Sequence, residues 1–251
     1  VGAYVALEIA TYLLLKELKK SCPWILFSSD EQPKFDLDGL EKFIRHGWDQ
    51  ELGWIRKPNT SHYEVHDDGK RTWYSIDEFG NRRNPGFERS DPIALAYGDS
   101  YTFGRLVNDD ETWAHFLSQT LGQPVHNRGV GNYGMDQAQI RLEREFEDMP
   151  TPVLLIGVVP ETIARVHSVW KHLSEYGNHF GFKPRFEIDG DQLVLRPNPV
   201  QREGDFREIA DLLPDIKARD PFFEWRFIRD IIRLPPLFSL LRSPGRNFLL
   251  V

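Results

Sequence analysis

The sequence predicts an α/β fold, a doubly wound parallel sheet, from three observations. An apolar run at 93–97 breaks at Gly98, a continuous apolar run, VLLIGVV, occupies 153–159, and amphipathic helical patterns separate the strand signals. The order strand, helix, strand, helix, strand implies right-handed crossovers and a ligand site off the carboxyl ends of the strands.

Each core element has a local reason. Residues 93–97 form the first strand. Asp109 or Asp110 can cap a helix over DETWAHFLSQTL, in which Trp113, Phe116, Leu117 and Leu121 recur at helical spacing and are expected to face the sheet. Gly122 stops that helix and PVHN at 124–127 makes the second strand. MDQAQIRLEREFEDM is a charged helix with Ile140, Leu142 and Phe146 as its apolar positions. The third strand, VLLIGVV, is apolar throughout, as expected where both faces of a parallel strand are covered.

The flanks divide the chain into four parts: 1–20 as an apolar anchor helix, 21–92 as an irregular lead-in, 93–200 as the α/β core, and 201–251 as a helical tail. VGAYVALEIATYLLL carries one charge, Glu8, and as a helix would run about 22 Å, short of the roughly 30 Å hydrocarbon core of a bilayer. The chain starts at Val1 rather than Met, so this stretch reads either as the end of a membrane helix that begins upstream, with Lys16, Lys19 and Lys20 in the headgroup region, or as an amphipathic helix packed on the domain or on a partner. In the lead-in, HYEVH and RTWYSI are short strands around the turn at Asp67-Asp68-Gly69, and residues 185–196 form a hairpin around Asp189-Gly190. In the tail, Phe222, Phe223, Phe227, Ile228 and Ile231 make an apolar helical face before Pro235-Pro236, suited to the core or to a protein partner.

Composition excludes several classes. The 251 residues carry a formal net charge of -7 with Lys and Arg scattered, which argues against nucleic acid as a partner. The single cysteine, Cys22, permits no internal disulfide, and no His or Cys cluster has metal-ligand spacing. No metal and no cofactor is expected.

The chemistry points to residues 93–104, IALAYGDSYTFG. A serine on a tight strand-to-helix turn stands above the sheet where its hydroxyl can meet a substrate, which makes Ser100 the candidate nucleophile. Asp99 reads as the residue that organises this turn. The Gly98-Asp99-Ser100 motif resembles block I of the SGNH (GDSL-type) hydrolases. NRGVGNYGMDQA at 127–138 is similar to their second block, VLLIGVVPETI at 153–163 to their third, and ELGWIRKP with SIDEFGNRR resembles the lead-in of large bacterial members. The resemblance covers roughly residues 50–200. It implies a flavodoxin-like sheet and an ester hydrolase whose oxyanion donors are the serine N–H, a block II N–H and a block III asparagine side chain. Here Asn132, beside Gly131, stands where glycine is usual, and Glu161 stands where the asparagine belongs, so one oxyanion donor becomes a repelling carboxylate.

The family's base is a histidine three residues after an aspartate, and none of the eight histidines has that spacing. His167, a turn and a half after Glu161, is the candidate base that remains, while His115 and His126 read as structural and Arg165 as a helical partner for Glu161. Asp136 with Glu161 raises paired-carboxylate chemistry, at a separation that sequence does not give. Two functions follow. The missing base and altered donor favour an SGNH-like scaffold or subunit of a membrane assembly at the cell envelope, on the periplasmic side. The alternative is an active acyl-esterase or O-acyltransferase on an envelope glycan or lipid ester, with its histidine beyond Val251.

Overall fold

The computed structural model describes residues 1–22, 25–32, 35–88, 91–176 and 178–242, and shows a mixed α/β chain. Helix α1 (Gly2–Leu18) exposes Tyr4, Val5, Leu7, Ile9, Leu13 and Leu14, and turns Glu8 and Leu15 inward. The Glu8 carboxylate accepts the Leu237 N–H at 3.1 Å. No described helix is long and apolar enough to cross a membrane. Lys19 pairs with Asp30 at 2.6 Å and donates to the Ile25 carbonyl at 2.8 Å.

The lead-in is more regular than its sequence suggests. After β1 (Leu26–Phe27) comes α2 (Leu37–His46), capped by Asp36, which accepts the Gly39 N–H at 2.9 Å. The Asp36 cap and the Leu37, Leu40, Phe43, Ile44 spacing are its sequence signal. Strands β2 (Trp48–Asp49) and β3 (Gly53–Trp54) pair antiparallel, as do β4 (Thr60–Val65) and β5 (Arg71–Ile76), where strands were expected.

The core sheet forms from the three expected strands. β6 (Ala94–Tyr97) lies between β7 (Val125–Asn127) and β8 (Val153–Ile156), parallel to both, in the order β7-β6-β8. One helical turn, α3 (Ser100–Phe103), follows β6, then α4 (Trp113–Leu121) and, after β7, α5 (Met135–Glu145). Two expectations need correction. Thr112 caps α4, accepting the His115 N–H at 3.1 Å, while Asp109 lies in a preceding 3₁₀ turn. That helix buries Ala114, His115 and Ser118 and packs Leu117, as expected, against Ala94 and Val125 of the sheet, but leaves Trp113, Phe116 and Leu121 exposed, because Asn84 reaches in from the lead-in to bond both His115 (2.9 Å) and Ser118 (2.8 Å). Nor is β8 covered on both faces: Val153, Leu154 and Ile156 stay 40–43% exposed, since no described strand lies beyond this edge.

Beyond β8 run α6 (Pro160–Arg165), α7 (Lys171–Ser174) and the expected hairpin, β9 (Arg185–Asp189) with β10 (Gln192–Arg196). The tail contains α8 (Ile209–Arg219), a π-helical turn (Phe223–Phe227), α9 (Ile228–Asp230), β11 (Ile231–Ile232) and α10 (Pro236–Arg242), and its expected continuation over 243–251 lies outside the described residues. The helix expected over 220–234 is interrupted because Ile231 and Ile232 pair with Leu26 and Phe27 of β1. Phe227 and Ile231 are buried in this chain's own core, with Leu26, Val169, Trp170, Phe182 and Phe206, and Phe222, Phe223 and Ile228 pack against it. Trp225 remains the exposed aromatic of that segment, 63% accessible.

His172 sits in this cluster, 4.8 Å from the Trp170 ring centroid, with Nε2 3.0 Å from the Asp30 carbonyl. Burial, with nearby His179 adding to it, lowers its pKa from 6.5 to about 4. Because the folded imidazole resists a proton that the unfolded chain accepts, stability is full above about pH 6.5 and falls as the pH drops towards 4. The expected loss is on the order of 3 kcal/mol, read by urea titration across that window, and His172→Phe should flatten it.

Candidate functional site

Ser100 sits where the sequence places it, at the carboxyl end of the central strand. The chain leaves β6 through Gly98 at φ +154°, and Asp99 caps the turn by accepting the Tyr101 N–H at 2.9 Å, its expected organising role. A Cβ on Gly98 or on Gly157, past the end of β8, would overlap the Thr102 hydroxyl, and one on Gly129, past β7, would overlap the Phe103 backbone. Glycine beyond each strand therefore lets the Ser100 turn seat directly on the sheet. Ser100 is partly exposed, and among the described residues its hydroxyl makes no hydrogen bond.

The three blocks meet through one side chain that sequence reasoning assigned elsewhere. Arg165 does not pair with Glu161. It reaches Asp99 at 3.2 Å, the Tyr133 carbonyl at 3.4 Å and Glu175 at 2.7 Å, because two carboxylates within range outweigh one solvated i,i+4 contact. Glu161 is exposed and has no ion pair among the described residues. Asp136 is likewise no partner for Glu161. It is buried, with Lys183 Nζ at 2.5 Å, and that ammonium also donates to the Ser168 (3.0 Å) and Pro184 (2.9 Å) carbonyls.

Asn132 holds a left-handed conformation, φ +70°, in the place where the resemblance implies glycine. The Gly131 carbonyl accepts the Trp54 indole N–H at 3.0 Å, whereas the Gly131 and Asn132 N–H groups have no acceptor among the described residues. These two amides are available to an incoming oxyanion.

No described histidine bonds to Ser100. His115 is held by Asn84 and Gln119, and His126 is buried beside Asn81 and Met149, so both are structural as expected. His66 meets Thr72. His167 is exposed at the end of α6, its carbonyl accepting from Arg185 at 2.9 Å, and its ring has no partner among the described residues.

Two hollows adjoin the Ser100 turn, through its neighbours rather than through Ser100 itself. One, of about 380 Å³, is walled by Asp99, Tyr101, Thr102, Trp113, Val158 and Val159 beside the exposed β8 edge. The other, of about 460 Å³, runs from Gly131 and Asn132 across Arg56 and Arg105 to His62 and Lys171. The Arg105 N–H donates to the Ser100 carbonyl at 3.2 Å, which ties this cleft to the Ser100 turn. Burial, then Arg56 and His46, hold the His62 pKa below its ordinary value. Compared with protein-family models and with curated proteins, the chain matches none.

Sequence reasoning missed Arg56, Arg165 and Lys183 as members of this region. Arg56 lies within the ELGWIRKP stretch that carries part of the resemblance, which is the one signal that could have marked it. Nothing local marks the other two.

Proposed function

We propose that this chain carries an SGNH-type acyl-ester site on a flavodoxin-like sheet, attached to an envelope membrane through α1. Ser100 is the nucleophile, and the reaction is ester hydrolysis or transfer of the acyl group to another hydroxyl. The observation that carries this reading is the unbonded Ser100 hydroxyl on its strand-to-helix turn, in the same region as two amides without acceptors. The hydroxyl oxygen would attack the ester carbonyl carbon while its proton passes to a base. The developing oxyanion would take hydrogen bonds from the Ser100 and Asn132 amides, and Arg165 would hold Asp99 and the block II loop in register.

A second reading, a non-catalytic SGNH-like scaffold or subunit, is favoured by one observation: no described imidazole bonds to Ser100. A fluorophosphonate separates the two. Covalent capture of the intact protein at Ser100 supports the acyl-ester site, and absence of capture leaves the scaffold.

The membrane part has its own test. α1 leaves Leu7 and Leu14 53% and 59% exposed, so burying them in an interface is favourable and costs the fold nothing. Leu7→Glu with Leu14→Glu should lower partitioning onto anionic phospholipid vesicles at least about ten-fold in a flotation assay, with an unchanged Tm. Equal flotation of the variant would remove α1 as the anchor.

A further inference from the structure

The larger cleft has a charge opposite to that of the chain. Four cationic side chains, Arg56, Lys57, Arg105 and Lys171, line it against one carboxylate, Glu64, in a protein of net charge -7. Two of the cations are already committed: Arg105 to Glu64 at 2.9 Å and Lys171 to Glu175 at 2.5 Å. Arg56 and Lys57 have no carboxylate partner among the described residues. The Arg56 guanidinium is held in place by the Tyr74 hydroxyl and lies 4.8 Å from the Tyr74 ring centroid and 5.1 Å from that of Phe103. Its Nη2 is 3.9 Å from where a Cβ on Gly131 would stand, beside the amides that lack acceptors.

A positioned guanidinium with free donors and a second unpaired ammonium, with the open Gly131 N–H beside them, form a set of donors without an acceptor. Such a set matches the oxygens of a carboxylate or a phosphate, and the planar Arg fork can bind either with two parallel hydrogen bonds. We infer that this cleft binds an oxyanion, carboxylate or phosphate, carried on the ester on which Ser100 acts. The inference rests on the acyl-ester reading for the substrate's identity, while the cleft's own preference for anions can be measured without any turnover. Arg56 and Lys57 contact the anion, and the Glu64–Arg105 and Lys171–Glu175 pairs border it.

Calorimetric titration of the intact protein tests this, using tetragalacturonate against its methyl-esterified form and glycerol 3-phosphate against glycerol. At least one charged probe should bind about ten-fold or more tightly than its neutral counterpart, and which one does so distinguishes carboxylate from phosphate. Arg56→Gln should weaken that probe by about ten-fold, and Arg56→Lys should recover part of the loss. Lys57→Gln, at a side chain with no internal partner, should weaken it by a smaller factor without lowering Tm, so the result stands even if Arg56→Gln disturbs the packing on Phe103. The inference is overturned if charged and neutral probes bind alike, if neither charged probe binds at millimolar concentration, or if both glutamine variants bind as the parent does. Anion binding without fluorophosphonate capture would sink the acyl-ester reading and leave the cleft. Capture without anion binding would do the reverse.

Discussion

Ser100→Ala should abolish covalent capture by a fluorophosphonate and lower turnover of a short-chain ester on the order of 10⁴-fold or more, because a site built around one nucleophile loses nearly all its covalent chemistry with that oxygen. The fold should not notice. The Ser100 hydroxyl makes no hydrogen bond among the described residues, so its removal leaves no buried group unsatisfied and Tm should stay within about a degree. Gel-based labelling with mass-spectrometric site mapping reads the first effect and calorimetry the second. Labelling that persists in the variant would place the reactive group elsewhere. An intact protein that is never labelled would leave the turn as a retained shape without chemistry.

Lys183→Met should cost about 3–5 kcal/mol of folding stability, the loss expected when a buried ion pair is broken on one side. Asp136 and Lys183 are both buried, at 2.5 Å from each other. Burial drives the Asp136 pKa up and the Lys183 pKa down, and each partner's charge opposes that drift. Without the ammonium, the Asp136 carboxylate keeps its desolvation penalty and loses its counter-ion. A raised folded pKa gives stability that is present at low pH and lost as pH rises, so the deficit of Lys183→Met should shrink as the medium is acidified. Replacing both partners, Asp136→Leu with Lys183→Met, should recover much of the loss. Urea unfolding of the single and double variants at two pH values measures all of this, and a neutral single variant would show that the pair contributes nothing.

The same pair connects stability to the site. Asp136 lies at the start of α5, next to the loop carrying Gly131 and Asn132, and Lys183 ties it to the Ser168 carbonyl just beyond α6. Loosening this tie should blur the positions of the open amides before it unfolds the protein.

The candidate site was legible to the extent that its signals are local. Gly98, Asp99 and Ser100 are consecutive, their turn follows from a strand that must end and a glycine that lets it bend, and the structure puts them at the carboxyl end of the central strand. The same holds for the hairpin at 185–196 and for the helix at 1–18, where composition and periodicity act within ten or so residues. The face of α4 was read correctly at Leu117 and misread at Trp113, Phe116 and Leu121, because helical spacing marks apolar residues and says nothing of Asn84, which lies 31 positions before His115 and satisfies it in the interior.

By itself the sequence determined the three parallel strands, the helices between them, the serine turn and the apolar first helix. Each depends on hydrophobic period and turn chemistry, which neighbouring residues set together. Only the tertiary structure decided that Arg165 serves Asp99 across 66 positions, that Lys183 neutralises Asp136 across 47, and that the aromatic tail closes on the chain's own core. It alone brought Arg56 beside Gly131. Charges pair with whichever opposite charge the packed backbone brings within reach, and chain closure sets that distance without leaving a periodic trace in the sequence.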